Sequence, residues 1–101
     1  MDVELARHQW TEGRLKVERA RSDRSAYARL SAYVEVIIEG LTRRIGQTFT
    51  TEELAREYDR ADSWTLEALD DAFPDEVLTD VATAADAAFA LYARRASDYA
   101  P

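Results

Sequence analysis

Few side chains in this sequence could do chemistry. His8 is the single histidine, and Glu4 and Glu12 stand four residues to either side of it. On a helix that spacing puts all three on one face, about one turn apart. An imidazole between two carboxylates can hold a divalent cation weakly. A durable site needs another ligand, and neither a second histidine nor a Glu-x-x-His repeat supplies one. His8 therefore reads as a surface residue. Glu53 with Glu57, and Glu67 with Asp71, form carboxylate pairs at the same spacing. Such pairs do acid–base work where burial drives their pKa values apart. Arg56 and Arg60 interleave the first pair, which predicts exposed, solvated faces for these carboxylates instead.

The sequence contains no cysteine. That excludes disulfides, thiolate nucleophiles and cysteine-ligated zinc or iron–sulfur sites. Phosphate-cradling glycine loops, calcium-binding loops and Ser/His/Asp constellations are also absent. Serines 22, 25, 31, 63 and 97 suit turns, caps and helix surface. No catalytic, cofactor-binding or metal-ligating residue is assigned, and catalysis is not expected. The signature of an unrecognised helical enzyme, a rival reading, would be a polar pocket holding carboxylates of shifted pKa.

The elements that position these residues are helices. Only three glycines and two prolines occur in 101 residues, 47% of which are hydrophobic. No alternating β-branched run interrupts the helical period. A first helix is expected over about Val3 to Arg21, with the thin stripe Val3, Ala6, Trp10, Gly13, Val17 and Ala20. Gly13 costs a helix about 1 kcal/mol against Ala, so this helix needs tertiary or partner contacts, with Trp10 its main anchor. The second helix is the strongest. Ser25 can cap it, and Tyr27, Leu30, Val34, Ile37, Leu41 and Ile45 recur at helical spacing, widened by Tyr33, Val36 and Ile38. Arg43 and Arg44 suit its negative end, and Gly46 can close it.

The stretch RRIGQTFTTEELAREY then reads as a helix stop followed by a helix start. Thr50 and Glu53 form a capping box, and Phe49 and Leu54 form a hydrophobic staple. The third helix runs on toward Pro74 and is open to a break near Asp62 and Ser63. A fourth begins near Thr79 or Asp80, with Val81, Ala84, Ala85, Ala88, Leu91 and Tyr92 facing inward. Phe89 lies off that stripe, where it can touch the first helix or a partner. The expected fold is all-α, a four-helix bundle-like single domain over residues 1–101, with 1–21 as a less tightly packed N-terminal helix.

Charge narrows the partners. The net charge is −7, divided as +2 over residues 1–44 and −9 over residues 45–101. TTEELAREYDRADSWTLEAL resembles the first part of a helix-turn-helix. A degenerate helix-turn-helix regulator is therefore the alternative function. The segment in the place of the recognition helix carries Asp62, Glu67, Asp70 and Asp71, which phosphates would repel. Nucleic acid is therefore disfavoured, and any contact with it would fall to the basic run from Arg14 to Arg29. The acidic residues 52 to 80 also permit a phosphate mimic. No apolar run is long enough to span a membrane, and no leader pattern occupies the N-terminus, so a cytoplasmic protein is expected.

At RRIGQTFTTEELAREYDRADSW and DAAFALYARRASDYAP the chain resembles small, mostly uncharacterised helical proteins of high-GC actinobacteria. The resemblance covers about half the chain and implies a helical fold, with no reaction, cofactor or site. The function expected is that of a small acidic protein–protein interaction or regulatory module acting through a helical surface, by binding another protein or by self-association. No cofactor, membrane or small-molecule ligand is implied. The candidate partner-binding residues are Trp10, Arg14, Val17, Arg21, Phe89 and Tyr92, because Trp, Tyr and Arg most often carry interface energy.

Overall fold

A continuous apolar stripe on one long helix organises the chain. The computed structural model describes residues 8, 11–16, 19 and 23–95. Residues 11–16 are helical (α1). They are followed by α2 (Arg24–Ile45), α3 (Thr51–Asp59), α4 (Ala61–Ala72) and α5 (Val81–Arg95). The described residues form an all-α domain with no strand among them. No described helix is long and apolar enough to cross a membrane. Trp10, Val17 and Arg21 lie outside the described residues, as do the expected ends of the first helix.

Helix α2 supplies the centre of the core. Leu30, Tyr33, Val34, Ile37, Ile38 and Leu41 are all buried along it. They pack mainly on α5, whose buried face is Ala84, Ala85, Ala87, Ala88 and Ala93 with Phe89 and Tyr92. Alanines let the two helix backbones approach closely, and the long side chains of α2 fill the space between them. Asp23 caps α2. Its carboxylate accepts the backbone N–H groups of Ser25 and Ala26 at 3.1 and 3.2 Å. Ser25, the expected cap, is already inside the helix; a carboxylate at the positive helix end adds a charge–dipole attraction that a hydroxyl lacks.

The joint between α2 and α3 forms as its sequence predicts. Gly46 ends α2 at φ 75°, a conformation that costs a glycine little. Thr50 and Glu53 make the reciprocal capping box: Glu53 N–H donates to Thr50 Oγ1 at 3.2 Å and Thr50 N–H to Glu53 Oε1 at 3.3 Å. Phe49 and Leu54 are both buried. Phe49 also stacks on Tyr92 with centroids 4.6 Å apart.

The third helix, open by sequence to a break near Asp62 and Ser63, is two helices. The break comes at Arg60, three residues before Ser63, and α4 starts there without a side-chain cap. Ser63 Oγ donates instead to the Arg60 carbonyl at 2.7 Å, stitching the first turn of α4 to the joint. Phe89 is another departure: it is 0% exposed and meets the Tyr58 ring edge-on at 5.2 Å. It belongs to the core of the chain. Leu91, expected inward, is only partly buried.

Gly13 explains how α1 joins the domain. It is buried, and a β-carbon there would overlap Asp86 Cβ and lie 2.9 Å from the Ala87 backbone nitrogen. The glycine that weakens α1 by propensity is the point where α1 crosses α5. Gly13→Ala should therefore destabilise the protein. Overpacking costs about 1–3 kcal/mol and outweighs the ~1 kcal/mol propensity gain, because the obstructing atoms belong partly to backbone. Denaturant unfolding would read this as a lower midpoint, and a raised midpoint would refute the close crossing.

Candidate functional site

Two features among the described residues bring charge and aromatic groups together. The larger is a groove of about 570 Å³ between α2 and α4, lined by Val36, Glu39, Gly40, Arg43, Arg44, Trp64, Glu67, Ala68, Asp71 and Ala72. Its floor is built on a helix–helix contact. Trp64 is buried, and a β-carbon at Gly40 would lie 2.6 Å from Trp64 Cζ3. Only a residue without a side chain leaves room for the indole against α2. The Arg44 guanidinium lies 4.4 Å from the centre of the Trp64 ring, a cation–π arrangement that holds both groups in place. Trp64 Nε1 is buried without a hydrogen-bond partner among the described residues.

The rim is charged. Arg43 pairs with Glu39 one turn earlier on α2. Across the groove, Glu67 and Asp71 are exposed on α4 and form no ion pair among the described residues. Asp70 and Asp71 sit in the last turn of α4, which contains no basic residue. Carboxylates at that end add to the negative helix terminus instead of opposing it. The α4 side of the groove is thus acidic, and it faces Arg43 and Arg44 on the α2 side across an aromatic floor.

The second feature is a phenol–carboxylate pair. Tyr58 Oη donates to Asp86 Oδ1 at 2.6 Å, tying α3 to α5. Burial pushes the Tyr58 phenol far above its ordinary range, reinforced by Asp86 and by the charges of Asp62 and Asp59. Burial also raises the Asp86 carboxyl; its bond from Tyr58 and the nearby Lys16 oppose that shift, and Asp62 adds to it. Tyr58 therefore stays protonated as the donor. Neither residue lines a described concavity, so the pair ties elements together rather than facing a substrate space. The two residues are 28 apart in sequence, and only the fold brings them together.

The residues singled out by sequence are dispersed. His8 is exposed. Among the described residues no three His, Cys, Asp or Glu side chains gather as a metal-ligating group. Glu57, expected on a solvated face, is buried with 11% of its side chain exposed and lies 3.5 Å from Arg60. Glu53 is committed to the capping box. Arg14 is half-buried. Phe89 and Tyr92, at 0% and 4% exposed, devote their rings to the core. The Trp64–Arg44–Gly40 groove was missed as a site. Its signal was a Trp and a mid-helix glycine on different helices, which are readable only once those helices are paired.

Comparisons with protein-family models, with curated proteins and with solved structures find no significant match.

The Asp86 shift has a checkable sign. A carboxyl whose folded pKa is raised favours folding while protonated. That stability is fully present below the unfolded carboxyl value, about 3.9, and is lost as pH rises through the folded value. Asp86→Asn keeps an acceptor for Tyr58 but removes the charge. Its thermal midpoint should exceed that of the parent at pH 7, and the advantage should shrink as pH falls toward 4. A variant less stable than the parent at neutral pH would contradict this electrostatic account.

Proposed function

We propose that this protein is a small protein–protein interaction module that receives a basic segment of a partner in the groove between α2 and α4. The observation that carries the proposal is the pairing of a Trp–Arg floor with the unneutralised carboxylates Glu67 and Asp71 at the negative end of α4. Trp and Arg are the residue types that most often anchor interfaces. A partner Lys or Arg would meet the negative field, while an apolar side chain beside it would pack on Val36, Ala68 and Trp64.

The acidity of α4 also weighs against the alternative, a helix-turn-helix regulator. In that reading α4 would approach phosphates, yet Asp62, Glu67, Asp70 and Asp71 are all exposed on it. Phosphate contacts dominate such binding. Moreover, α3 and α4 are separated by the single residue Arg60, where helix-turn-helix units use a turn of about 3–4 residues. In the expected surface around Trp10 and the basic segment, Trp10, Val17 and Arg21 lie outside the described residues, Arg14 is half-buried and Lys16, Arg19 and Arg24 are exposed; the groove carries the fuller argument.

Peptide-display selection against the whole protein tests the proposal. Enriched peptides should combine a basic residue with an apolar one. Their affinity should fall about tenfold or more, the equivalent of ~1.4 kcal/mol, in the double variant Glu67→Lys, Asp71→Lys. Both residues are exposed, so the unfolding midpoint should move little. Peptides that bind the charge-reversed protein equally well would remove the groove as the site.

A further inference from the structure

A second concavity, of about 500 Å³, lies at the start of α2 and is separate from the groove just described. It is lined by Ser25, Ala28, Arg29, Ala32, Tyr33, Phe73, Glu76 and Val77. We infer that this concavity binds a small apolar zwitterion, an α-amino acid, with its carboxylate held by Arg29 and Tyr33.

Two unsatisfied groups on one helix face lead to this assignment. Arg29 Nε and the Tyr33 hydroxyl are both buried without hydrogen-bond partners among the described residues. Tyr33 as a whole is 0% exposed. The two residues are four apart on α2, so they are neighbours on the same face, and both line the concavity. Leaving a buried donor unmade is costly, and native proteins rarely do it. A carboxylate has two acceptor oxygens, one for each group, and its charge matches the guanidinium. Because neither donor atom is accessible in the free protein, binding includes a side-chain shift that opens them to the concavity.

The remaining lining selects the rest of the ligand. Its charged residues are Arg29 and Glu76, of opposite sign. A simple anion would meet Glu76 unfavourably, whereas a zwitterion offers an ammonium to it. Asp80 adds to this. Its carboxylate lies 3.8 Å from an Arg29 terminal nitrogen, too far for a hydrogen bond, and its backbone is in the left-handed region at φ 56°. Arg29 is thus held near a carboxylate without being fully engaged by one. Ala28, Ala32, Phe73 and Val77 provide the apolar wall. Val77 is 85% exposed, and Phe73 is already braced against Tyr33 with ring centroids 5.5 Å apart. The volume lies within the usual range of small-molecule sites, about 300–1,000 Å³.

The test is an NMR titration of the intact protein with L-phenylalanine, with 3-phenylpropionate and phenethylamine as probes lacking the ammonium and the carboxylate respectively. Saturable amide shifts confined to residues around Ala28, Ala32 and Val77 are expected with phenylalanine. Either truncated probe should bind at least tenfold more weakly. Arg29→Gln should lose tenfold or more, and Glu76→Gln should weaken phenylalanine while leaving 3-phenylpropionate unchanged or improved. Tyr33→Phe removes only a hydroxyl, so it should keep the fold, raise the unfolding midpoint of the free protein and weaken binding several-fold. The inference is overturned if phenylalanine gives no saturable shift, if 3-phenylpropionate binds as tightly, or if the folded Arg29→Gln and Tyr33→Phe proteins bind as the parent does.

Discussion

The structure depends on the burial of one face of α2 against α5. Each large aliphatic or aromatic side chain fully removed from water contributes about 1.5–3 kcal/mol of transfer free energy, and six side chains of α2 are buried along a single stripe. Its counterpart α5 is rich in alanine. Alanine buries little surface of its own and loses no side-chain entropy, so α5 is a good helix former that depends on α2 for its packing. The short helices follow from this pair. Leu54 of α3 and Leu69 of α4 are both fully buried against the same core. A short isolated helix is marginal in water, so α3 and α4 persist because the α2–α5 unit gives them a surface to cover.

What could be read from the sequence was mostly local. The capping box at Thr50 and Glu53, the glycine stop at Gly46 and the stripe of α2 all involve residues three or four apart, where helical geometry alone decides who meets whom. Readings failed where two local solutions compete or where a distant element chooses. Asp23 and Ser25 are both good caps, and charge at the helix terminus decides between them. The break in the third helix was legible as an option near Asp62 and Ser63, but no glycine or proline places it at Arg60. The phase of α5 was ambiguous because alanines occur all around it; the partners on α2 and α3 decide that Phe89 turns inward. The Tyr58–Asp86 bond and the burial of Glu57 likewise required the tertiary arrangement.

Two glycines look like local defects and serve instead as contact points. Gly13 and Gly40 are both helical, where glycine is unfavourable by about 1 kcal/mol. At each, another helix occupies the space a side chain would take: Asp86 and Ala87 of α5 at Gly13, and the Trp64 ring of α4 at Gly40. A propensity cost confined to two positions is therefore the signature of two close crossings. One of them, at Gly40, forms the floor of the groove between α2 and α4.

The polar groups separate the structural parts of the molecule from the parts open to a ligand. Hydroxyls that serve the fold are bonded within it: Thr65 donates to the Ala61 carbonyl at 2.6 Å, Thr42 to that of Ile38 at 2.9 Å, and Tyr58 across to Asp86 at 2.6 Å. Among the described residues, the buried groups without a bond of full geometry are Trp64 Nε1, Arg29 Nε, the Tyr33 hydroxyl and the Tyr92 hydroxyl. The last has the Thr42 hydroxyl close by. The other three belong to residues that line the two concavities. A fold optimised for stability alone would have matched these groups or replaced them with apolar ones, since an unmade buried hydrogen bond costs about 1–3 kcal/mol. Their concentration in residues that line open space, while these other hydroxyls are bonded within the fold, is the physical reason to look for binding at these two places.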